Sequence, residues 1–530
     1  MKYPSISPRA IAADPERANK TIGPLKWMEI ERPAQFHRSL DCHLRTRSRG
    51  TLGPLCAKPK SSLARPCLRT GGVDPSNFPD YLYQPAKNHP RSKPETLPGV
   101  VFPAFGNVIF VYFSQPIGRN MSEASAGRFL GILTWIVLFS GYANAQTDTI
   151  ARGEYVTRAA DCVACHTAPG GKPFAGGRAF ELPFGTLYSP NITPDPKSGI
   201  AAYSDDEWVR MLHEGVARDG KHLYPAMPYT SYTLMSRDDA LLIKAYLMSL
   251  QPVEASIPEN KISFPFNQRW GLVLWNFFNS SNRRFEPDGK RSAEYNRGDY
   301  LANALAHCGE CHTPRNFMMG LKNGKQFAGE EQEGWLAYNL TSDPVHGLGK
   351  WSDKDLEAYL ATGHAEGHGP ASGPMAEAVG LSLRYLQPSD IHAIVAYLRE
   401  VSPQTDGPPA VIKAAPINTA DGVGPKFFAQ ACEGCHLRNG EGRQSTWASL
   451  LGSHSAGDAT GKNMLQVLVS GTQLDTHTGR VSMHPFSAAA YSDVELAAVA
   501  NYVASQFAGR PANVTAEQVR HQRESVPATQ

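Results

Sequence analysis

ADCVACHT, residues 160–167, sets two cysteines three positions apart and a histidine directly after the second. On one helical turn, thiols so spaced reach the two vinyl groups of haem and form thioethers. The adjoining histidine then meets the iron from the proximal side. The pattern returns in AHCGECHT at 306–313 and in QACEGCHL at 430–437. Cys162, Cys165, Cys308, Cys311, Cys432 and Cys435 are therefore expected to carry three covalently bound haem c groups. His166, His312 and His436 are the expected proximal ligands. Zinc would need two further ligands per site, and no second Cys-x-x-Cys lies near any of the three. A redox dithiol would not require a histidine at the same place in every copy.

The flanking sequence repeats with the motif. Each copy opens with a short amphipathic stretch: GEYVTRAADCVACHT from Gly153, GDYLANALAHCGECHT from Gly298, and PKFFAQACEGCH from Pro425. Each closes on a helical pattern. Ser236 is an N-cap candidate, with Asp239 three residues on, ahead of Ile243, Tyr246 and Leu247. Ser389 leads to Ile394, Tyr397 and Leu398. Ser492 and Glu495 form a capping box before Val499, Tyr502 and Val503. A tyrosine at the same place in three apolar stripes is expected to help cover a flat macrocycle. The first two copies also share PNITPDP from Pro190 with NLTSDP from Asn339, and YSDDEW from Tyr203 with WSDKDL from Trp351. The third is trimmed between motif and closing helix.

The sixth iron ligand separates a carrier from an enzyme, because a Met thioether closes the site and an open position invites oxygen or peroxide chemistry. Met227, in YPAMPY, lies 61 residues after His166; Met375, in SGPMAEA, lies 63 after His312; Met483, in VSMHPF, lies 47 after His436. These three are the expected axial ligands, with His484 as a rival to Met483.

The fold expected is mainly α: three tandem class I cytochrome c domains with long loops, preceded by a signal peptide. RFLGILTWIVLFSGYANA, residues 128–145, has the basic lead, apolar stretch and small-x-small end of a cleavable export signal. Translation is expected to begin at Met121, leaving residues 1–120, with Cys42, Cys56 and Cys67, as an upstream extension without a role. The expected divisions are 121–145 signal, 146–252 first domain, 253–284 connector and 285–401 second domain. A linker at 402–416, a third domain at 417–510 and a tail at 511–530 follow. RWGLVLWNFFNS from Arg269 is an apolar patch belonging to neither flanking domain; it is expected to pack between them, or else to touch a partner or membrane. A net charge of +3 over 530 residues gives no field that argues for nucleic acid.

From about Asp148 onward the chain resembles the three-haem cytochrome c subunits of membrane-associated bacterial dehydrogenases for alcohols, gluconate, sorbitol and glucose. ADCVACHTAPGGKPFAGG, LYSPNITPD with YPAMPYTSY, AHCGECHTPRN, YNLTSDP, SDVELAAVANYV and NVTAEQV carry the likeness. That family usually has Met-Pro-Pro-Phe where this chain has Met483-His484-Pro485-Phe486. The resemblance implies a large catalytic partner bearing PQQ or FAD, and peripheral contact with the periplasmic face of the inner membrane. It also implies electron delivery to ubiquinone, with no substrate-oxidising site on this chain. No Rossmann glycine pattern or nucleophile constellation contradicts this. Three alternatives remain open: the cytochrome partner of a molybdenum hydroxylase, a free-standing carrier to an oxidase, and a peroxidase-like haem enzyme.

Overall fold

A computed structural model describes residues 146–405 and 422–525, apart from 444, 459, 510 and 511. The upstream extension, the signal segment, the three N-terminal cysteines and most of the 402–416 linker lie outside the described residues.

Helices dominate, with strands confined to small antiparallel sheets of two or three. The three opening helices run over 146–159, Ala293–Tyr300 and Val423–Ala431, and the closing helices over Arg237–Ser249, Pro388–Glu400 and Asp493–Ala508. Ser236 caps the first closing helix by accepting from the Asp239 N–H, and Ser492 with Glu495 forms a full capping box on the third. The second starts at Pro388, one residue ahead of Ser389, with no side-chain cap; proline at the first helical position needs no N–H partner. The YSDDEW and WSDKDL echoes open helices Asp205–Glu214 and Asp353–Thr362, each capped by its serine.

Opening and closing helices cross at one repeated point. A Cβ on Gly153 would lie 2.9 Å from the Cβ of Tyr246, one on Gly298 2.8 Å from that of Tyr397, and one on Gly424 2.9 Å from that of Tyr502. Each glycine also sits against a closing-helix carbonyl, that of Leu242, Ala393 or Ala498. The repeated tyrosine thus marks a close helix crossing, a role its position in the stripe did not reveal. Its ring meets Phe174, Phe327 or Phe428 in the respective copy.

From that glycine to the first motif cysteine the chain counts nine, ten and eight positions in the three copies. The differences are absorbed locally. In the first, Asp161 takes a left-handed conformation (φ 51°) just before Cys162. In the second, Leu301–Leu305 widens into a turn bonded five residues back, with Ala306 N–H on the Leu301 carbonyl, and His307 has φ 38°. The third needs neither device.

Buried side chains of the first two copies form one shared core, from Val156 to Leu398, into which the third inserts Leu474, while the rest of the third builds its own around Phe428, Leu496 and Phe507. The tail joins this third core: helix Ala516–Ser525 buries Val519 completely, and Arg523 pairs with Asp493. The connector adds strand Lys261–Ile262 to the first copy's hairpin and then forms helix Trp270–Asn279. Among the described residues, no helix is long and apolar enough to cross a membrane.

Candidate functional site

Each motif sits on a short helical turn, Cys162–Cys165, Gly309–His312 or Glu433–His436, directly after its opening helix. The three histidines share one arrangement. His166 Nδ1 lies 2.8 Å from the Pro190 carbonyl, His312 Nδ1 2.6 Å from that of Tyr338, and His436 Nδ1 2.7 Å from that of Ala448. A carbonyl can only accept, so Nδ1 carries the hydrogen and Nε2 keeps its lone pair free for a metal. Burial lowers the pKa of all three rings, which keeps them neutral and competent to ligate.

The accepting carbonyls are themselves fixed. In the first copy the next residue, Asn191, donates to the Val253 carbonyl (2.7 Å), while its Oδ1 accepts from Thr193 N–H and hydroxyl. In the second, Asn339 donates to the Gln404 carbonyl (2.7 Å) and accepts the same two bonds from Thr341. A further latch follows each of these two histidines. Thr167 accepts from the Phe174 N–H and Thr313 from the Phe327 N–H, while the histidine carbonyls accept from Gly176 and Gly329. Phe174 and Phe327 are buried. These residues were missing from the expected site. The NITPDP/NLTSDP echo and the matching GKPFAGG and GKQFAGE were the available signal. The third copy keeps only a counterpart bond, from Gly442 N–H to the His436 carbonyl at 3.1 Å.

Burial pushes the Cys162, Cys308 and Cys432 thiols up to about 12. That is opposite to the depressed thiol of a redox dithiol. No group of three or more metal-capable side chains exists among the described residues, so the ligands zinc would need are not gathered here. The donor set instead fits haem: a paired thiol turn followed by a neutral imidazole with Nε2 free, built three times.

Met227 lies between Pro225 and Pro228 outside any helix, and Met375 lies in helix Gly373–Leu381; both are packed against the shared core. Met483 ends strand Gly479–Met483 and packs half-buried against the third core, while His484 is exposed.

The first two sites face each other. The Tyr232 ring meets His307 edge-on at 5.6 Å, and Thr230 and Ser231 donate to Glu310, inside the second motif. Arg178, beside the first motif, makes a two-pronged pair with Glu377 of the second copy. Second and third copies meet through aromatic rings: Tyr338 lies edge-on to His454 at 4.6 Å, and Trp351, stacked on His368 at 3.6 Å, also meets His454 at 5.6 Å.

Comparison with known proteins agrees with this donor set. The cytochrome c family profile matches residues 150–251. The chain is 36% identical to the fructose dehydrogenase cytochrome subunit of Gluconobacter japonicus, over 72% of this chain and 84% of that one. It is 35% identical to the alcohol dehydrogenase (quinone) cytochrome c subunit of Gluconacetobacter polyoxogenes, over 73% and 88%. It is also 42% identical to a nicotinate dehydrogenase subunit of Pseudomonas putida, over 56% of this chain but only 25% of that longer protein.

Proposed function

This chain belongs to the family of dehydrogenase cytochrome c subunits, and from that premise we propose its role. It is the electron-transfer subunit of a periplasmic, membrane-associated dehydrogenase, built as three tandem class I cytochrome c domains. It takes electrons from a PQQ- or FAD-dependent catalytic subunit and delivers them to ubiquinone, with no substrate-oxidising site of its own. The expected export signal supports the periplasmic location.

The observation that carries the reading is the threefold pairing of a histidine Nδ1–H with a backbone carbonyl, directly after a thiol turn. Haem, when bound, supplies reversible one-electron chemistry. The chain's residues do the rest. The six cysteines would hold the three groups covalently, and the carbonyls of Pro190, Tyr338 and Ala448 fix each imidazole's tautomer and rotation. Met227, Met375 and Met483 would supply the remaining iron ligands, the exposure of His484 favouring Met483 over it.

Purification of the native complex tests this: a PQQ- or FAD-bearing subunit co-purifies, its substrate reduces three haems, and the complex reduces a ubiquinone analogue. Failure of substrate to reduce the haems overturns it. The 42% identity with a nicotinate dehydrogenase subunit favours one second reading, a partner of the molybdenum hydroxylase type. Molybdopterin in the co-purified subunit would select that reading.

A further inference from the structure

No residue of the connector helix Trp270–Asn279 is buried, although seven of its ten are large hydrophobics. Trp270 is 72% exposed, Phe277 78% and Phe278 62%. The surface continues on both sides. Phe264 and Phe266 precede the helix, and Phe317, 96% exposed, and Met319 stand beside it on the loop after the second motif. That loop is tied to the helix: Trp275 Nε1 donates to the Met318 carbonyl (2.7 Å) and Asn316 to Asn279 Oδ1 (2.9 Å). Nine of the fourteen large hydrophobics exposed among the described residues fall in this patch, so it is a clustered surface and not ordinary scatter.

The helix is held by a polar edge. Asn276 accepts from the Tyr229 hydroxyl at 2.7 Å, and Arg269 donates to the His222 carbonyl. It therefore does bridge the first two copies, as expected, yet its apolar face remains unused. Charge indicates what that face meets. From Asn260 to Phe285 the chain carries Lys261, Arg269, Arg283 and Arg284 and no acid, against +3 for all 530 residues. Glu259 and Glu286 bound this stretch, and three acids that approach from outside are engaged: Asp219 pairs with Lys221 at 2.6 Å, Glu214 accepts from Asn282, and Asp299 from Asn303.

We propose that this patch is a lipid-docking surface, on which the connector helix lies flat at the headgroup boundary of an anionic bilayer. Trp270, Phe277, Phe278 and Phe317 enter the boundary, and Lys261 and Arg283 meet lipid phosphates. Aromatic side chains with a basic fringe suit that interface, and a short helix lying along it does not need to span. The inference rests on the membrane association proposed above and names the surface that makes it.

The test uses the purified haem-loaded protein and vesicles of phosphatidylcholine with or without phosphatidylglycerol. Wild type is expected to sediment with the anionic vesicles. The triple change Leu274→Ser, Phe277→Ser, Phe278→Ser, all at exposed positions, weakens that binding by at least about tenfold. Lys261→Glu with Arg283→Glu weakens binding to anionic vesicles by roughly tenfold and leaves binding to neutral ones unchanged. Val494→Ser, at an exposed valine of the third copy, changes neither. Vesicle binding undiminished in the triple variant overturns the proposal. So does wild type that ignores vesicles while the triple variant sheds its catalytic subunit, which would assign the patch to a protein. In detergent, haem reduction by the catalytic subunit is unaffected by the triple change. Its absence even in wild type would refute the proposed function, and the vesicle result would still stand on its own.

Discussion

The first two repeats and the third use the same helix crossing and the same histidine arrangement, but they are joined to their neighbours differently. The first two share one core and are cross-tied by Tyr155 on Asp390, which Arg297 of its own copy also holds, by Tyr300 on Asp239, and by Arg178 on Glu377. The third has its own core and reaches the second through one inserted side chain, Leu474, and edge contacts. One edge contact is reciprocal: the Leu336 N–H donates to Asn463 Oδ1 at 2.7 Å, and Asn463 Nδ2 donates back to the Leu336 carbonyl at 3.0 Å. Extensive shared burial couples the unfolding of two units, whereas one inserted side chain and a few edge hydrogen bonds leave each unit largely its own stability. Repeats one and two should therefore open as one body and repeat three by itself.

The largest test is at the crossing. Gly298→Ala forces a methyl to 1.9 Å from the Ala393 carbonyl, and Gly424→Ala one to 2.4 Å from that of Ala498. Each should destabilise by about 3 kcal/mol, the upper range for overpacking. Hydrogen exchange should show Gly298→Ala raising exchange across both of the first two repeats, and Gly424→Ala in the third alone. Uniform loss of protection in both variants would break the distinction.

Removing a cross-tie comes next. Arg178→Ala leaves half-buried Glu377 without its two-pronged partner, a loss of about 1–3 kcal/mol that calorimetry should find in the transition of the fused pair only. The Asp390 tie adds a pH dependence. Burial pushes its carboxyl up, but the bonds from Arg297 and Tyr155 outweigh that and hold it below its ordinary value. A depressed carboxyl contributes stability above the unfolded value of about 4, and that contribution is lost as pH falls through the folded value. The fused pair should weaken on acidification below about pH 4, and Asp390→Asn should flatten that dependence. The Asn463 clamp contains no titrating group and should not respond.

Asn463→Ala should loosen the third repeat from the second by about 1–2 kcal/mol, visible as cleavage or exchange at the junction. Lys462 also bridges to Glu331, but both side chains are over 40% exposed. Lys462→Ala should therefore shift the same readout by less than about 0.5 kcal/mol. Equal effects from the two variants would mean that charge, and not the amide clamp, sets the docking.

What the sequence revealed follows the range of the interactions. The thiol turns, the closing helices and the serine caps of the first and third of them depend on residues within one or two turns, and these were readable; Pro388 displaced Ser389 at the start of the second. The NITPDP echo was visible as a repeat, but its use was not. Asn191 acts through the Val253 carbonyl, 62 positions on, and no local period encodes that meeting. Likewise Tyr155 and Asp390 are 235 positions apart. The apolar run at 270–279 was read as packing between repeats. It does so along one edge, where Asn276, Asn279, Arg269 and the Trp275 indole make the junction, and leaves most of its hydrophobic residues exposed.

The count of nine, ten and eight residues between crossing and first cysteine has a practical meaning. Both ends of that segment are pinned, one by a glycine with no room for a methyl and the other by the thiol turn. What lies between behaves as slack in a belt, taken up by a left-handed residue or one widened turn. Length changes that would be ruinous elsewhere in a repeat can be absorbed there, so a designer wishing to add a residue near the prosthetic group should begin in that stretch.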